Sequence, residues 1–446
     1  MKVKKIYLIV FAIGIVNLSF AQNANQPRYF SLIGKTIPYD LPLQMANYQF
    51  SKAKISDFKD KLLILDFWAD WCSPCRSFLI KADSLHKKFG NKLIILPITY
   101  QDSATVVRFL SSFKKVTGIN SYSAINDDNL NSTFQHRLIP HEVWINAGDQ
   151  TVIAITDADQ VNSANIEKVL NHEPIDWVMK VDMPMINVDF NKPFLVDGNK
   201  QTNIPSNEVL LNINTSGYQF KLTKHIDSLI GGGTFPGNDI KAYNVNIQSL
   251  YAYTRISEGD DPGVINSGHM VLKVKDTTII HEPFNGNYQM YAAWANKNTY
   301  CYELILKDST LNGPKIARNE LNKYFKKLNI EGIIEQRTVP CYVLKRTSVI
   351  DKIKSAGGAK TQIIGAYILN YKNARFADWI FKLQSYWLQM EIPIIDDSGF
   401  GNEMVDMDLV CNMENVNSIN TAIAKYDLKF VKENRKESLM VIKNIK

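Results

Sequence analysis

The chain has 446 residues, 45% of them hydrophobic and 21% charged. At roughly 150 residues per domain this suggests two to three domains, each able to bury a core. The 22 glycines, 16 prolines and five cysteines exclude a collagen, a low-complexity disordered chain and a disulfide-stapled miniature scaffold. The formal net charge of +7 is mild, and no block of five or more basic residues occurs. Nucleic-acid binding therefore has no support.

The N-terminus carries a basic stretch, Lys2, Lys4 and Lys5, then an almost purely apolar run over Ile6–Val16. Ser19-Phe20-Ala21 places small residues at −3 and −1 of a cleavage site before Gln22. This pattern predicts a secretory signal peptide over residues 1–21 and an exported protein, in the periplasm or cell envelope of a bacterium. A single N-terminal anchor is the competing reading, but the run falls short of the about 20 residues a span needs. Removing the three lysines lowers the charge from +7 to +4.

Residues 22 to about 50 read as loop. An α/β pattern follows. Leu62–Phe67 is a continuous apolar run broken only by Asp66, as expected of a buried central strand. Pro74–Phe89 has apolar residues at helical spacing and is stopped by Gly90-Asn91. Leu93–Ile98 reads as a second buried strand and Ser103–Phe113 as a helix. Glu142–Asn146 and Thr151–Thr156, separated by Gly148-Asp149, predict a hairpin. A last helix begins at Asn165. The order is strand, helix, strand, helix, hairpin, helix.

Pro174, Pro184, Pro193 and Pro205 punctuate a linker over 175–205 between a first domain, 22–174, and a second, 206–446. The second reads as α+β. Val271–Val274, Tyr300–Leu306 and Cys341–Lys345 predict strands, and Ile316–Lys327 and Ser418–Tyr426 predict helices. Gly231-Gly232-Gly233 reads as a flexible loop and not a phosphate cradle, since no Lys-Ser/Thr follows. No repeat of 20–50 residues is visible.

The strongest chemical signal is Trp71-Cys72-Ser73-Pro74-Cys75, directly after the strand Leu62–Phe67. A Cys-x-x-Cys at a strand-to-helix junction suits thiol–disulfide exchange. The first cysteine sits where unpaired N–H groups and the helix dipole favour a thiolate. The second lies one turn inside, within reach to resolve a mixed disulfide. Pro74 fits the first turn, where a missing N–H costs nothing. The alternative is half of a zinc site, but zinc wants a second ligand pair and only His86 is near, so no metal is expected. No cofactor is expected beyond a redox-active Cys72–Cys75 disulfide.

The segment Asp66-Phe67-Trp68-Ala69-Asp70-Trp71-Cys72-Ser73-Pro74-Cys75-Arg76 resembles the active-site segment of thioredoxins. With Ile55–Lys61 and the export signal it is similar to the extracytoplasmic TlpA/ResA-like branch, over about residues 35–172. The resemblance implies a thioredoxin fold, with Cys72 as attacking nucleophile and Cys75 as resolving thiol. It matches Pro140 to the family's cis-proline, which would set the Ile139 backbone beside the disulfide to pair with a substrate strand; an ordinary turn proline is the alternative. It matches Asp66 to a buried carboxylate that takes the Cys75 proton, with a structural aspartate as the alternative. Trp71, Ser73 and Pro74 would face the substrate, and His141, next to Pro140, is read as a modulator on the substrate-binding side of the site, with an ordinary exposed loop histidine as the alternative. Ser73 replaces the usual glycine, which leaves the direction of electron flow open.

Cys301, Cys341 and Cys411 are read as buried free thiols, with a Cys301–Cys341 disulfide as the alternative. Arg337–Leu344, Ile394–Gly401 and Tyr426–Val431 resemble an uncharacterised domain family of soil bacteria that carries no established activity. His269, His281 and Glu282 read as scattered surface residues.

These observations point to an exported thiol–disulfide oxidoreductase. Its partners would be protein thiols or disulfides and a membrane or envelope redox protein, with the second domain recruiting a substrate or partner. The alternative is an envelope binding or sensory protein, using the fold as a scaffold with a structural or regulatory disulfide. Peroxide reduction lacks a cysteine in a suitable local sequence.

Overall fold

The computed structural model describes residues 32–445, apart from 38–40, 147, 181–187, 197–207, 228, 230, 235–238, 256–266, 281–287 and 389–391. The signal-peptide segment, His281 and Glu282 lie outside the described residues. No helix among the described residues is long and apolar enough to cross a membrane.

The N-terminal unit is a seven-stranded sheet flanked by helices. Its elements are β1 (Pro42–Ala46), β2 (Lys52–Lys54), β3 (Leu62–Phe67), α1 (Ser73–Phe89), β4 (Leu93–Ile98), α2 (Ser103–Thr117), β5 (Ser123–Ile125), α3 (Asn129–Thr133), β6 (His141–Ile145), β7 (Val152–Thr156) and α4 (Ser163–Leu170). The sheet order is β2-β1-β5-β4-β3-β6-β7. Strand β3 is central and buried at every position, parallel to β4 and antiparallel to β6. Alternation sends Leu63, Leu65 and Phe67 into one core. It sends Leu62 and Ile64 into another, against Phe78, Ala82 and Leu85 of α1 and Ile166 of α4. Asp66 shares the α1 face with Ile64 by the same alternation.

Local chemistry sets the helix ends. Asp102 accepts from the Thr105 N–H at 2.8 Å to cap α2, and Gly118 closes it at φ +77°. Two lysines, Lys87 and Lys88, place positive charge in the last turn of α1. The expected order of elements is present, with additions. The loop expected over 22–50 contains β1. Its partner β2, Lys-Ala-Lys, is a short edge strand with no apolar run to betray it.

The described parts of the expected linker are docked. Ile175, Trp177 and Met179 pack on the N-terminal core, and Lys180 N–H donates to the Ile155 carbonyl. Phe194, Leu195 and Val196 donate their N–H groups to the buried carboxylate of Glu303 in the second unit, which Lys241 faces at 3.4 Å.

The second unit has two lobes. The first holds β8 (Val209–Asn214), β9 (Tyr218–Lys224), β10 (Gly232–Thr234), β11 (Ile240–Asn246), α5 (Ile247–Ala252), β12 (Met270–Lys273), α6 (Tyr288–Asn298), β13 (Thr299–Leu306), α7 (Gly313–Phe325) and β14 (Ile330–Arg346). The second holds β15 (Thr361–Ile364), β16 (Ile368–Arg375), α8 (Phe376–Lys382), β17 (Ile394–Asp396), β18 (Met404–Val410), α9 (Val416–Ile423) and β19 (Leu428–Asn444).

The lobes repeat one plan. In each, a bulged strand carrying an asparagine at positive φ (Asn244, +48°; Asn373, +46°) runs into a helix, α5 or α8. Later an asparagine-capped helix, α7 or α9, ends in a 3-10 turn and a left-handed residue, Asn329 or Asp427, before a 17-residue strand. The strands then exchange. β14 and β19 pair antiparallel along their whole length, β12 joins β19, and β17 joins β14. The duplicated unit is longer than the 20–50-residue period of a sequence repeat.

Gly231-Gly232-Gly233 is a correction to the expected loop. Gly232–Thr234 is strand β10, paired with β11. A Cβ at Gly233 would stand 2.5 Å from the Tyr253 ring, so glycine is there to admit the ring against backbone. Cys301, Cys341 and Cys411 are buried and free, so the alternative Cys301–Cys341 disulfide is not formed.

Candidate active site

Cys72 is the N-cap of α1, and its sulfur accepts the Cys75 N–H at 3.2 Å. Pro74 occupies the first turn. Cys72 and Cys75 form a disulfide, with Cα atoms 5.3 Å apart. When the bond is reduced, that N–H and the helix N-terminus favour a thiolate on Cys72. Cys75 is fully buried and Cys72 is only 4% exposed.

Neighbouring residues brace this turn. Asp70 N–H donates to Gln101 Oε1 at 2.9 Å, and Gln101 Nε2 donates to Asp70 Oδ1 at 2.8 Å. Trp68 is buried and its Nε1 donates to Ser123 Oγ at 2.9 Å. Trp71 is 63% exposed, and its Nε1 donates to Tyr100 Oη at 3.1 Å. Ser73 and Pro74 are exposed as well. The peptide bond between Ile139 and Pro140 is cis, and the Ile139 carbonyl oxygen lies 3.7 Å from the Cys72 sulfur. Cys72, Cys75, Trp71, Ser73, Pro74, Ile139 and Pro140 thus gather at one end of the sheet.

Asp66 is fully buried, and burial pushes its carboxyl up to about 7. Directly opposite it on β6 stands Glu142, also fully buried and pushed well above the ordinary range by burial and by the Asp66 charge. Sequence reasoning missed this second carboxyl. A charged residue opening an apolar strand two positions after Pro140 was the available signal. Lys180, 4% exposed, donates to the Leu138 and Pro140 carbonyls, the latter at 2.8 Å, and its charge favours the Glu142 carboxylate.

His141 is not the exposed loop histidine of the alternative reading. It is the first residue of β6 and fully buried, paired with Phe67 across the strands and stacked on His136 at 4.6 Å between ring centroids. Burial and the nearby Lys180 charge hold its pKa well below the usual histidine range, so the ring is neutral. By alternation it faces away from the Asp66–Glu142 side of the sheet. His86 accepts the Ile95 N–H at 2.8 Å, which ties its ring to β4.

Three residues of the second unit reach the site. Glu414 Oε1 accepts from Ser73 Oγ at 2.9 Å and pairs with Arg76 Nη2 at 2.5 Å. Ala366 and Tyr367 join the apolar cluster that holds Cys72, Cys75 and Trp68. These partners are about three hundred residues away in sequence, and nothing local announces them.

The family model described as Thioredoxin matches residues 42–118. A thioredoxin from Pongo abelii is 31% identical over 83 residues, covering 17% of this chain and 77% of that protein. This chain belongs to the thioredoxin family. The thioredoxin-like protein YneN of Bacillus subtilis is 24% identical over 83 residues, 19% of this chain and 49% of that protein. The chain therefore spans about half the length of that relative. A solved DsbF homologue from Corynebacterium diphtheriae has 21% identity, covering 31% of this chain and 88% of its own, at TM-score 0.26. The thioredoxin family fold at the N-terminal unit, with its Cys72–Cys75 disulfide and a sheet-rich second unit behind it, agrees with the α/β plus α+β architecture expected from the residues.

Proposed function

We propose that this thioredoxin-family chain is an exported thiol–disulfide oxidoreductase acting on protein thiols and disulfides. The observation that carries the reading is the Cys72–Cys75 disulfide at the α1 N-terminus with the Ile139 carbonyl 3.7 Å from Cys72. In the reducing direction the Cys72 thiolate attacks one sulfur of a substrate disulfide. A mixed disulfide forms and the other substrate sulfur leaves as thiolate. Cys75 then loses its proton to Asp66 and attacks the Cys72 sulfur, releasing the second substrate thiolate. The substrate gains two electrons and the protein returns to its disulfide. A carboxyl near 7 suits that proton, since it can accept and release it at neutral pH. Trp71, Ser73 and Pro74 offer the substrate a surface, and the backbone of Ile139, held next to Pro140, offers it a strand to pair with. The signal-like sequence pattern of residues 1–21 supports an envelope location, where a membrane or envelope redox partner would renew the thiols. The test is turnover of hydroxyethyl disulfide, a small disulfide, by the reduced protein as wild type and as Cys72→Ser. Catalysis by the wild type and its loss in the variant are expected, and an unchanged rate would refute the reading.

The near-burial of Cys72 favours a second reading, a binding or sensory module with a structural disulfide. In that case the disulfide would resist reduction at about −300 mV.

A further inference from the structure

The surface around an attacking cysteine must be open if a folded protein is to dock on it. Here one side of it is occupied by the chain's own second unit. Tyr367 sets its ring edge-on to Phe109 and Phe113 of α2, at 5.8 and 5.5 Å between centroids. It also lies beside the Arg76 guanidinium. Glu414 grips the first turn of α1 through both Ser73 and Arg76. Arg76 is 2% exposed and the Glu414 side chain 31%, so the ion pair is half-buried, sheltered on the Arg76 side and open to solvent on the Glu414 side.

The covering piece is itself braced. Met413 N–H donates to the Ala366 carbonyl at 2.9 Å, and Cys411 N–H to the Tyr367 carbonyl. Glu414 N–H donates to Asn412 Oδ1 at 2.9 Å. The carboxylate thus reaches α1 from a hydrogen-bonded corner and not from a free loop. The cover is one-sided, because Trp71 and Pro74 stay exposed.

We infer that Ala366, Tyr367 and Glu414 form a second wall of the redox site, latched by the Glu414–Arg76 pair, and that this wall sets the substrate class. Small disulfides and extended peptide segments enter past Trp71 and Pro74. A disulfide on a globular protein reaches Cys72 only when the wall moves off α1. The inference deepens the oxidoreductase reading and rests on it. Glu414 and Tyr367 are then specificity-determining residues, 341 positions and more than 290 positions away from the motif they screen.

The experiment uses the full chain, reduced at Cys72 and Cys75, as wild type and as Glu414→Gln. Rates are measured with hydroxyethyl disulfide and with insulin. Loss of one charge-assisted contact shifts a closed–open balance by about tenfold or more, so the insulin-to-small-disulfide rate ratio should rise by about that factor in the variant. If both proteins reduce hydroxyethyl disulfide and the ratio stays within about twofold, the wall is refuted and the oxidoreductase reading stands. If neither protein reduces hydroxyethyl disulfide, the oxidoreductase reading fails and this inference falls with it. A second measurement needs no variant. Reduced wild type is alkylated at Cys72 with N-ethylmaleimide and with a maleimide carried on a small folded protein. Glutathione, a thiol with no wall beside it, is alkylated in parallel with the same two reagents. Cys72 should discriminate against the bulky reagent at least about tenfold more than glutathione does, and equal discrimination by the two thiols overturns the wall.

Discussion

Replacing Asp66 with asparagine should stabilise the folded chain at neutral pH and above and leave it nearly unchanged in acid. The unfolded carboxyl ionises near its ordinary value of 3.8, whereas the folded one holds its proton to about 7. Between those values the folded state binds more protons than the unfolded state, so stability falls as pH rises. Below about pH 4 the term is absent, and above about pH 7 it is fully developed. At about 1.4 kcal/mol per tenfold change in proton affinity, the full effect is of the order of 4 kcal/mol. Glu142 adds a contribution of the same sign, because it too is raised, and Asp66→Asn relieves part of it by removing the facing charge. Urea unfolding of the oxidised chain, followed by tryptophan fluorescence from about pH 4 to about pH 8, reads the effect. The gap between variant and wild type should open steadily toward alkaline pH. A variant that is less stable than wild type at about pH 8, or a gap that does not change with pH, would show that Asp66 is a paired structural carboxylate and refute the reasoning.

Two further substitutions probe the same fold. Lys180→Met removes the donor to the Leu138 and Pro140 carbonyls and the positive charge that favours the Glu142 carboxylate. It should cost roughly 3 kcal/mol or more and move the buried carboxyl titration upward, read by urea unfolding and by the infrared carboxyl band; a downward or absent shift would contradict the assigned role. Asn244→Ala removes a side chain whose Oδ1 accepts from Ile226 N–H and whose Nδ2 donates to the Ile226 and Leu229 carbonyls, at a residue with φ +48°. A loss of about 3 kcal/mol is expected, with Asn244→Gly recovering only about 1 kcal/mol from the backbone, and a cost below that for alanine would remove the bulge from its structural role.

The N-terminal unit was legible because its signals are local. A six-residue apolar strand, a cysteine cap, a proline in the first turn and a glycine stop each act within a few residues, and they place β3, α1, β4 and α2 close to their observed bounds. The missing hairpin β1–β2 and the buried His141 fail for the opposite reason. Lys52–Lys54 adopts strand geometry only by pairing with β1, and His141 is buried only because β6 is inserted beside β3. The Asp66–Glu142 pair needs the register of two strands to be seen at all. The second unit was harder still, since β14 finds its partner β19 about one hundred residues on, and the duplication is written in cap and bulge positions and not in repeated words. Glu414 at the redox site depends on packing between units, where periodicity carries no information.

The exchanged strands make β19 a shared keystone. Its first residues, Leu428 and Phe430, lie in the core of the second lobe, and Met440 and Ile442 lie in the core of the first. Neither lobe can close its hydrophobic interior until this ribbon is laid down, yet it follows every other described element in the chain. Among the described residues the thioredoxin sheet takes no strand beyond β7, so it can form much earlier. During synthesis from the N-terminus a period therefore exists in which Cys72 is folded into its site while the piece bearing Tyr367 and Glu414 is still unanchored. On the proposed reading, thiol exchange at Cys72 is broad in acceptance until β19 is laid down, and selectivity follows the closing of the two lobes.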